Sequence, residues 1–188
     1  MEYRSLKRPL LFTIIYCGFN PCISSQKNDS AESRLKKIKN LIKNSKYSIH
    51  DLSRMEASKK GDLARFNMPF ELGIDTGCKA FGKNWHSKKQ FLIFDEKQYR
   101  YQKAISDMAG CDINHHSKDA EQLIIKTRSW FFNKVGRKQL KNGQYIWELY
   151  NEFITHLEDS CTKNHTPTLD QLADDEYIKY ATKWISVR

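Results

Sequence analysis

Segments of strand character and segments of helical spacing alternate along residues 1–135, and that order constrains the fold more than any other feature of the chain. Tyr47–Leu52 is a short strand ending in a carboxylate, and Gln90–Asp95, built on Phe91–Leu92–Ile93–Phe94, is the strongest strand of all. Asp112–Asn114 is a third, shorter one. Between and around them lie helices. Leu35, Ile38, Leu41 and Ile42 recur at helical spacing over 31–45, with a cap expected near Ser30. Pro69 opens a helix running to Phe81–Gly82, with Glu71 in its first turn. Gly73 and Gly77 on one face of that helix would let it approach the sheet closely. Tyr99–Ala109 is expected to be helical, and Asp119 caps a further helix through Leu123, Ile124, Thr127, Trp130 and Phe131. Near the start, Pro9 to Gly18 reads as a helix, with a strand over Phe12–Tyr16 as the competitor. Strands alternating with helices predict an α/β fold, a Rossmann-like (flavodoxin-like) parallel sheet flanked by helices.

The pattern changes after Gly136. Tyr145–Leu157 and Thr168–Ile185 are both helical by spacing, the second capped through Thr168 and Asp170. This divides the chain into a Rossmann-like domain over 1–135 and a C-terminal helical extension over 143–188, with the basic, glycine-bearing 134–143 segment as boundary.

Open parallel sheets bind ligands beyond the carboxyl ends of their strands, where loops and helix N-termini converge. Asp51 stands at such an end, and Glu71, just inside the next helix, is expected to face the same place. Two carboxylates there can divide tasks, one attacking or stabilising a cationic sugar carbon and the other orienting a hydroxyl or water. Arg54 and Arg65 flank the intervening loop and suit a phosphate. Each residue also has a plainer explanation. An acid early in a helix favours the helix dipole by itself, and Asp51 could cap the turn after it. The adjacent pair His115–His116 points opposite ways in a strand and is expected to be surface loop. Tyr99–Arg100–Tyr101 could stack a base, although packing aromatics are the commoner outcome.

The formal net charge of +10, from 32 Lys and Arg against 22 Asp and Glu, favours anionic partners. The basic helix Arg34–Lys46 could bind a nucleic acid backbone, or be a solvated face. No apolar run is long enough to cross a bilayer, and no membrane partner is expected. Met1–Cys22 imitates a secretion signal, but Glu2 in its charged part and the lack of a small-x-small cleavage site argue otherwise. The five cysteines are scattered with no C-x-x-C pair, so reduced thiols and a cytoplasmic location are expected, without metal or cofactor. Patterns for P-loops, G-x-G-x-x-G, H-E-x-x-H and G-x-S-x-G are missing from the sequence.

Two stretches carry a resemblance. Ile49–His50–Asp51–Leu52–Ser53–Arg54 and Arg65–Phe66–Asn67–Met68–Pro69–Phe70–Glu71–Leu72–Gly73 resemble the "IHDLSR … RFNMPFELG" signature of a group of uncharacterised bacterial proteins. Those are distantly similar to nucleoside 2-deoxyribosyltransferases and TIR-like proteins. The resemblance implies cleavage or transfer at the N-glycosidic bond of a nucleoside, nucleotide or NAD-like molecule, in the context of antiphage defence. Glu71 matches the catalytic carboxylate, and Asp51 a residue that orients ribose or base. Ser53, Arg54, Arg65 and Asn67 match the signature as substrate-binding candidates. Related sequences carry an additional strand ahead of the segment matching Glu2–Tyr3, which would make Glu2–Cys17 the first helix. The competing expectations are a nucleotide- or nucleic-acid-binding module without catalysis, and a protein whose helices Tyr145–Ile185 dock a partner or a second copy.

Overall fold

The apolar run Phe91–Phe94 lies at the centre of a parallel sheet in a computed structural model that describes residues 4–26, 32–56, 64–163 and 167–188. Among the described residues the sheet has three strands in the order β1 (Tyr47–Asp51), β2 (Gln90–Asp95), β3 (Asn114–His115), all parallel. The register pairs Ile49 with Leu92, His50 with Ile93 and Asp51 with Phe94, and continues by pairing Asp95 with His115. Strands joined in parallel need a crossover; an α-helix over Asn67–Phe81 supplies it between β1 and β2, and a segment of short 3-10 turns supplies it between β2 and β3.

The described residues contain six α-helices, α1 (Arg4–Tyr16), α2 (Arg34–Asn44), α3 (Asn67–Phe81), α4 (Ala120–Asn133), α5 (Gly143–Lys163) and α6 (Asp174–Ser186). The expected α/β class is therefore present. None of these helices is long and apolar enough to cross a membrane.

The chain forms two compact units, and they divide it elsewhere than at 134–143. Lys27–Ser117 is one, and Met1–Gln26 with Lys118–Arg188 is the other. In the first, α2 buries Ile38 and Ile42, the apolar stripe that its spacing foretold. Leu52, Met55, Leu72, Ile93 and Tyr101 form the core between α3 and the sheet. In the second, α1, α4, α5 and α6 pack around Phe12, Ile124, Ile146, Phe153, Leu157, Tyr177 and Trp184. Arg8 is buried there, hydrogen-bonded to the Leu169 carbonyl, while the Tyr177 hydroxyl donates to the Arg8 carbonyl at 3.0 Å.

Several local expectations need correction. Residues 99–109 are not an α-helix but two short 3-10 turns, Arg100–Lys103 and Ser106–Met108, entered through Tyr99 at φ +61°. The Arg100 guanidinium is held by the Asp95 carboxylate and by the Leu52 carbonyl at 2.8 Å, which ties the segment to the strand ends. Helix α1 starts before Pro9, which sits inside it. Helix α6 starts at Asp174, because Thr168 takes a turn in which its carbonyl accepts from Gln171 and Leu172 N–H. Glu176 then accepts from the Ala173 N–H at 2.9 Å and closes that helix start. The Asp119 cap stands, accepting from the N–H groups of Glu121 and Gln122 at 2.8 and 3.2 Å. Ser30 lies outside the described residues, and α2 is preceded by Ser33.

Candidate functional site

Side chains alternate across a strand, so consecutive residues of β1 serve opposite faces of the sheet. Ser48, His50 and Leu52 face α3, which buries Leu72 against Leu52 and Asp75 against His50. Asp51 lies between His50 and Leu52 and points the other way, where the buried His116 ring reaches it at 3.4 Å. Phe94, the register partner of Asp51, lies by the same His116 ring. Asp51 also accepts the Ser53 N–H at 2.9 Å and so caps the turn that follows the strand. The two carboxylates expected to share one pocket are thus on opposite faces. Asp51 is a turn-capping, histidine-paired residue, and His116 is buried core rather than surface loop.

Helix α3 begins at Asn67, two residues before Pro69, so Glu71 is its fifth residue and not in the first turn. Asp75 follows four residues later on the same side of the helix. Asp75 contacts both Ser48 and His50, whereas Glu71, a turn nearer the helix start, interacts with His50. Helix α3 therefore runs back along β1 with its N-terminus at the strand's carboxyl end. Helix α2 is oriented alike. The carbonyl of Ile42 in its last turn and that of Ser45 just past its end are held by the ammonium of Lys89, the residue before β2, and Arg34 in its first turn reaches Glu71 at 3.6 Å. Two helix N-termini thus converge at the carboxyl end of the sheet. Neither start is capped by a side chain, and neither first turn holds an acid.

The Glu71 side chain is 17 % exposed. Its partial desolvation pushes the carboxyl pKa up, and the nearby charges of Arg34 and His50 only partly offset this. Behind it, Asp75 is fully buried and accepts from His50 Nε2 at 3.0 Å, with the ammonium of the equally buried Lys89 at 3.2 Å. Burial works to raise the Asp75 pKa, but hydrogen bonds to His50 and Ser48 and the charge of Lys89 outweigh it, so the carboxyl titrates below its ordinary value. The other ring nitrogen of His50, Nδ1, is buried with no hydrogen-bond partner among the described residues.

The four substrate-binding candidates lie along the connection from β1 to α3. Ser53 is half-buried in the turn capped by Asp51, while Arg54, Arg65 and Asn67 are exposed. Arg65 donates its N–H to the Met55 carbonyl at 3.2 Å, closing the ends of the loop. Three members of the Glu71 surroundings were absent from the sequence-based candidates: His50, Asp75 and Lys89. Asp75 carried a usable signal, an acid four residues beyond Glu71 and so on the same side of the helix. Lys89 carried none.

No protein family profile matches the chain, no curated protein is similar to it, and no solved structure matches it.

Proposed function

We propose that the chain is an enzyme of Rossmann-like build that cleaves or transfers at the N-glycosidic bond of a nucleotide or NAD-like substrate, with Glu71 as its catalytic carboxylate. One observation carries this reading: Glu71 is a partly desolvated carboxyl, flanked by Arg34 and His50, where two helix N-termini meet at the carboxyl end of a parallel sheet. Departure of a good base leaves positive charge on the sugar carbon. A carboxylate shielded from bulk water stabilises such charge more strongly than an exposed one. The uncapped starts of α2 and α3, with Arg34, suit the phosphates of the same molecule. Asp75, hydrogen-bonded to His50 and Ser48 and paired with Lys89, fixes the His50 imidazole and so the electrostatic setting of Glu71. The "IHDLSR … RFNMPFELG" resemblance supports the same chemistry. Asp51 has no catalytic part in this reading; it anchors the turn that begins the Ser53–Arg54 connection.

The test is release of free base from NAD and from a panel of nucleosides and nucleotides, measured for the wild type and Glu71→Gln. Release by the wild type that falls by at least about 100-fold in the variant is the expected result, the scale of one lost group that stabilises transition-state charge. Equal release by both proteins refutes the assignment.

A further inference from the structure

Helix α3 is amphipathic in the inverse sense of a surface helix. Its three charged residues, Glu71, Asp75 and Lys79, recur every four positions on the side turned to the sheet, Lys79 laying its ammonium 5.2 Å from the Phe91 ring centroid. The opposite side carries no charge. Phe66, Phe70 and Phe81 stand there 61 %, 57 % and 88 % exposed, with Gly73, Thr76, Gly77 and Ala80 between them. Gly73 and Gly77 do not bring the helix close to the sheet as their spacing predicted. A Cβ built on Gly73 meets nothing within 4 Å, and one on Gly77 meets only the Phe81 ring of the same helix. An uncharged, ring-bearing outer face is anomalous in a chain that is 29 % charged.

We infer that this face is a contact between two copies of the chain, with α3 packed antiparallel against α3 of the second copy about a two-fold axis near residue 75. The spacing itself selects a second copy. The midpoint of Gly73 and Gly77 is position 75, and that of Phe70 and Phe81 falls half a residue further on. A two-fold axis there sets the bare backbone of Gly73 against Gly77 of the other copy, beside the Phe81 ring that lies against that Gly77. Phe70 and Phe81 lie on the same flank of the helix at 100° per residue, so the same operation lays Phe70 beside Phe81 of the other copy, twice. A partner of unrelated sequence would not require this symmetry. Charge agrees, since two copies at +10 each can meet only where like charges are kept apart, and this face has none. At roughly 200 Å² per ring, the three phenylalanines offer about 400 Å² per copy. That is about half of the ~800 Å² per partner in a standard stable interface. The dimer is therefore a weak, concentration-dependent one, and it does not depend on the catalytic reading of Glu71.

Sedimentation equilibrium of the full chain from low to high micromolar concentration tests this. The wild type is expected to pass from 22.2 kDa to twice that mass. Phe70→Glu and Phe81→Lys are each expected to weaken the self-association at least about tenfold. The double variant Phe70→Glu/Phe81→Lys is expected to regain dimer, because each Glu then meets a Lys of the other copy. Circular dichroism and the melting temperature establish that each variant is folded. A wild type that stays at 22.2 kDa throughout overturns the inference. So does a dimer that either single variant leaves intact, and so does a double variant that remains as monomeric as the singles, since the antiparallel register requires rescue.

Discussion

Replacing Lys89 by Met tests whether the buried charges beneath Glu71 form one electrostatic unit. Methionine keeps the length and apolar stem of the lysine, so packing changes little. Three interactions are lost together: the pairing with Asp75 at 3.2 Å, the hydrogen bond to the Ile42 carbonyl at 2.7 Å, and that to the Ser45 carbonyl. Lys89 and Asp75 are both fully buried, so water cannot take over either role. Breaking a buried pair by removing one partner costs about 3–5 kcal/mol, because the remaining charge is left uncompensated. At about 2–4 °C per kcal/mol for a chain of this size, the melting temperature should fall by roughly 6–20 °C. The ion-pair part separates from the carbonyl part in a double-mutant cycle. Asp75→Asn added to Lys89→Met should recover a portion of the loss, since no bare carboxylate then remains, whereas the orphaned carbonyls stay orphaned. Denaturant titration and calorimetry of the four proteins give the cycle. A Lys89→Met cost below about 1 kcal/mol, or a double variant worse than the sum of the singles, would refute the reasoning.

Other consequences follow from the same contacts. The Glu71 carboxyl is raised in the fold, so its contribution is fully present below its unfolded value near 4.5 and is lost as pH rises through the folded value. Glu71→Gln should therefore melt no lower than the wild type at pH 7, and somewhat higher, with the gap closing in acid; a variant clearly less stable at pH 7 contradicts this. Asp75 has the opposite sign. Its stabilisation is present above the unfolded value near 3.8 and fades as pH falls through the lower folded value, so Asp75→Asn should flatten the acid limb of the stability curve. Asp119→Ala removes two N–H partners at the start of α4 and should cost about 1 kcal/mol, read as a shift of the denaturant midpoint at unchanged slope.

Much of the secondary structure was legible because local signals and tertiary demands agree there. The Phe91–Phe94 run could only be a buried strand, the Leu35–Ile42 spacing put Ile38 and Ile42 in the core, and Asp119 capped its helix as its position implied. Residues 99–109 misled because helical composition lost to long-range ties: Arg100 is pulled to Asp95 and Leu52 O, and Tyr99 turns into the left-handed region to allow it. The site was half legible. Glu71 stands near the expected end of the sheet, but the parity of β1 decides which neighbours a strand-end acid meets, and that parity turns Asp51 to His116 and His50 to the α3 side. The glycines of α3 misled because equal spacing serves either face of a helix, and only the packing of Leu72 and Asp75 reveals which face is inward. Lys89 is beyond sequence reasoning, since a lysine before a strand is ordinarily solvated and this one is buried by contacts more than forty residues away.

The most direct measurement is the rate of base release on one cleaved nucleotide by wild type, Glu71→Gln and Asp51→Asn, compared at a temperature where all three are folded. The account predicts that Glu71→Gln is nearly inactive and that Asp51→Asn keeps most of the wild-type rate while melting lower. Loss of release in Asp51→Asn with Glu71→Gln still active would place the chemistry on the other face of the sheet and contradict it.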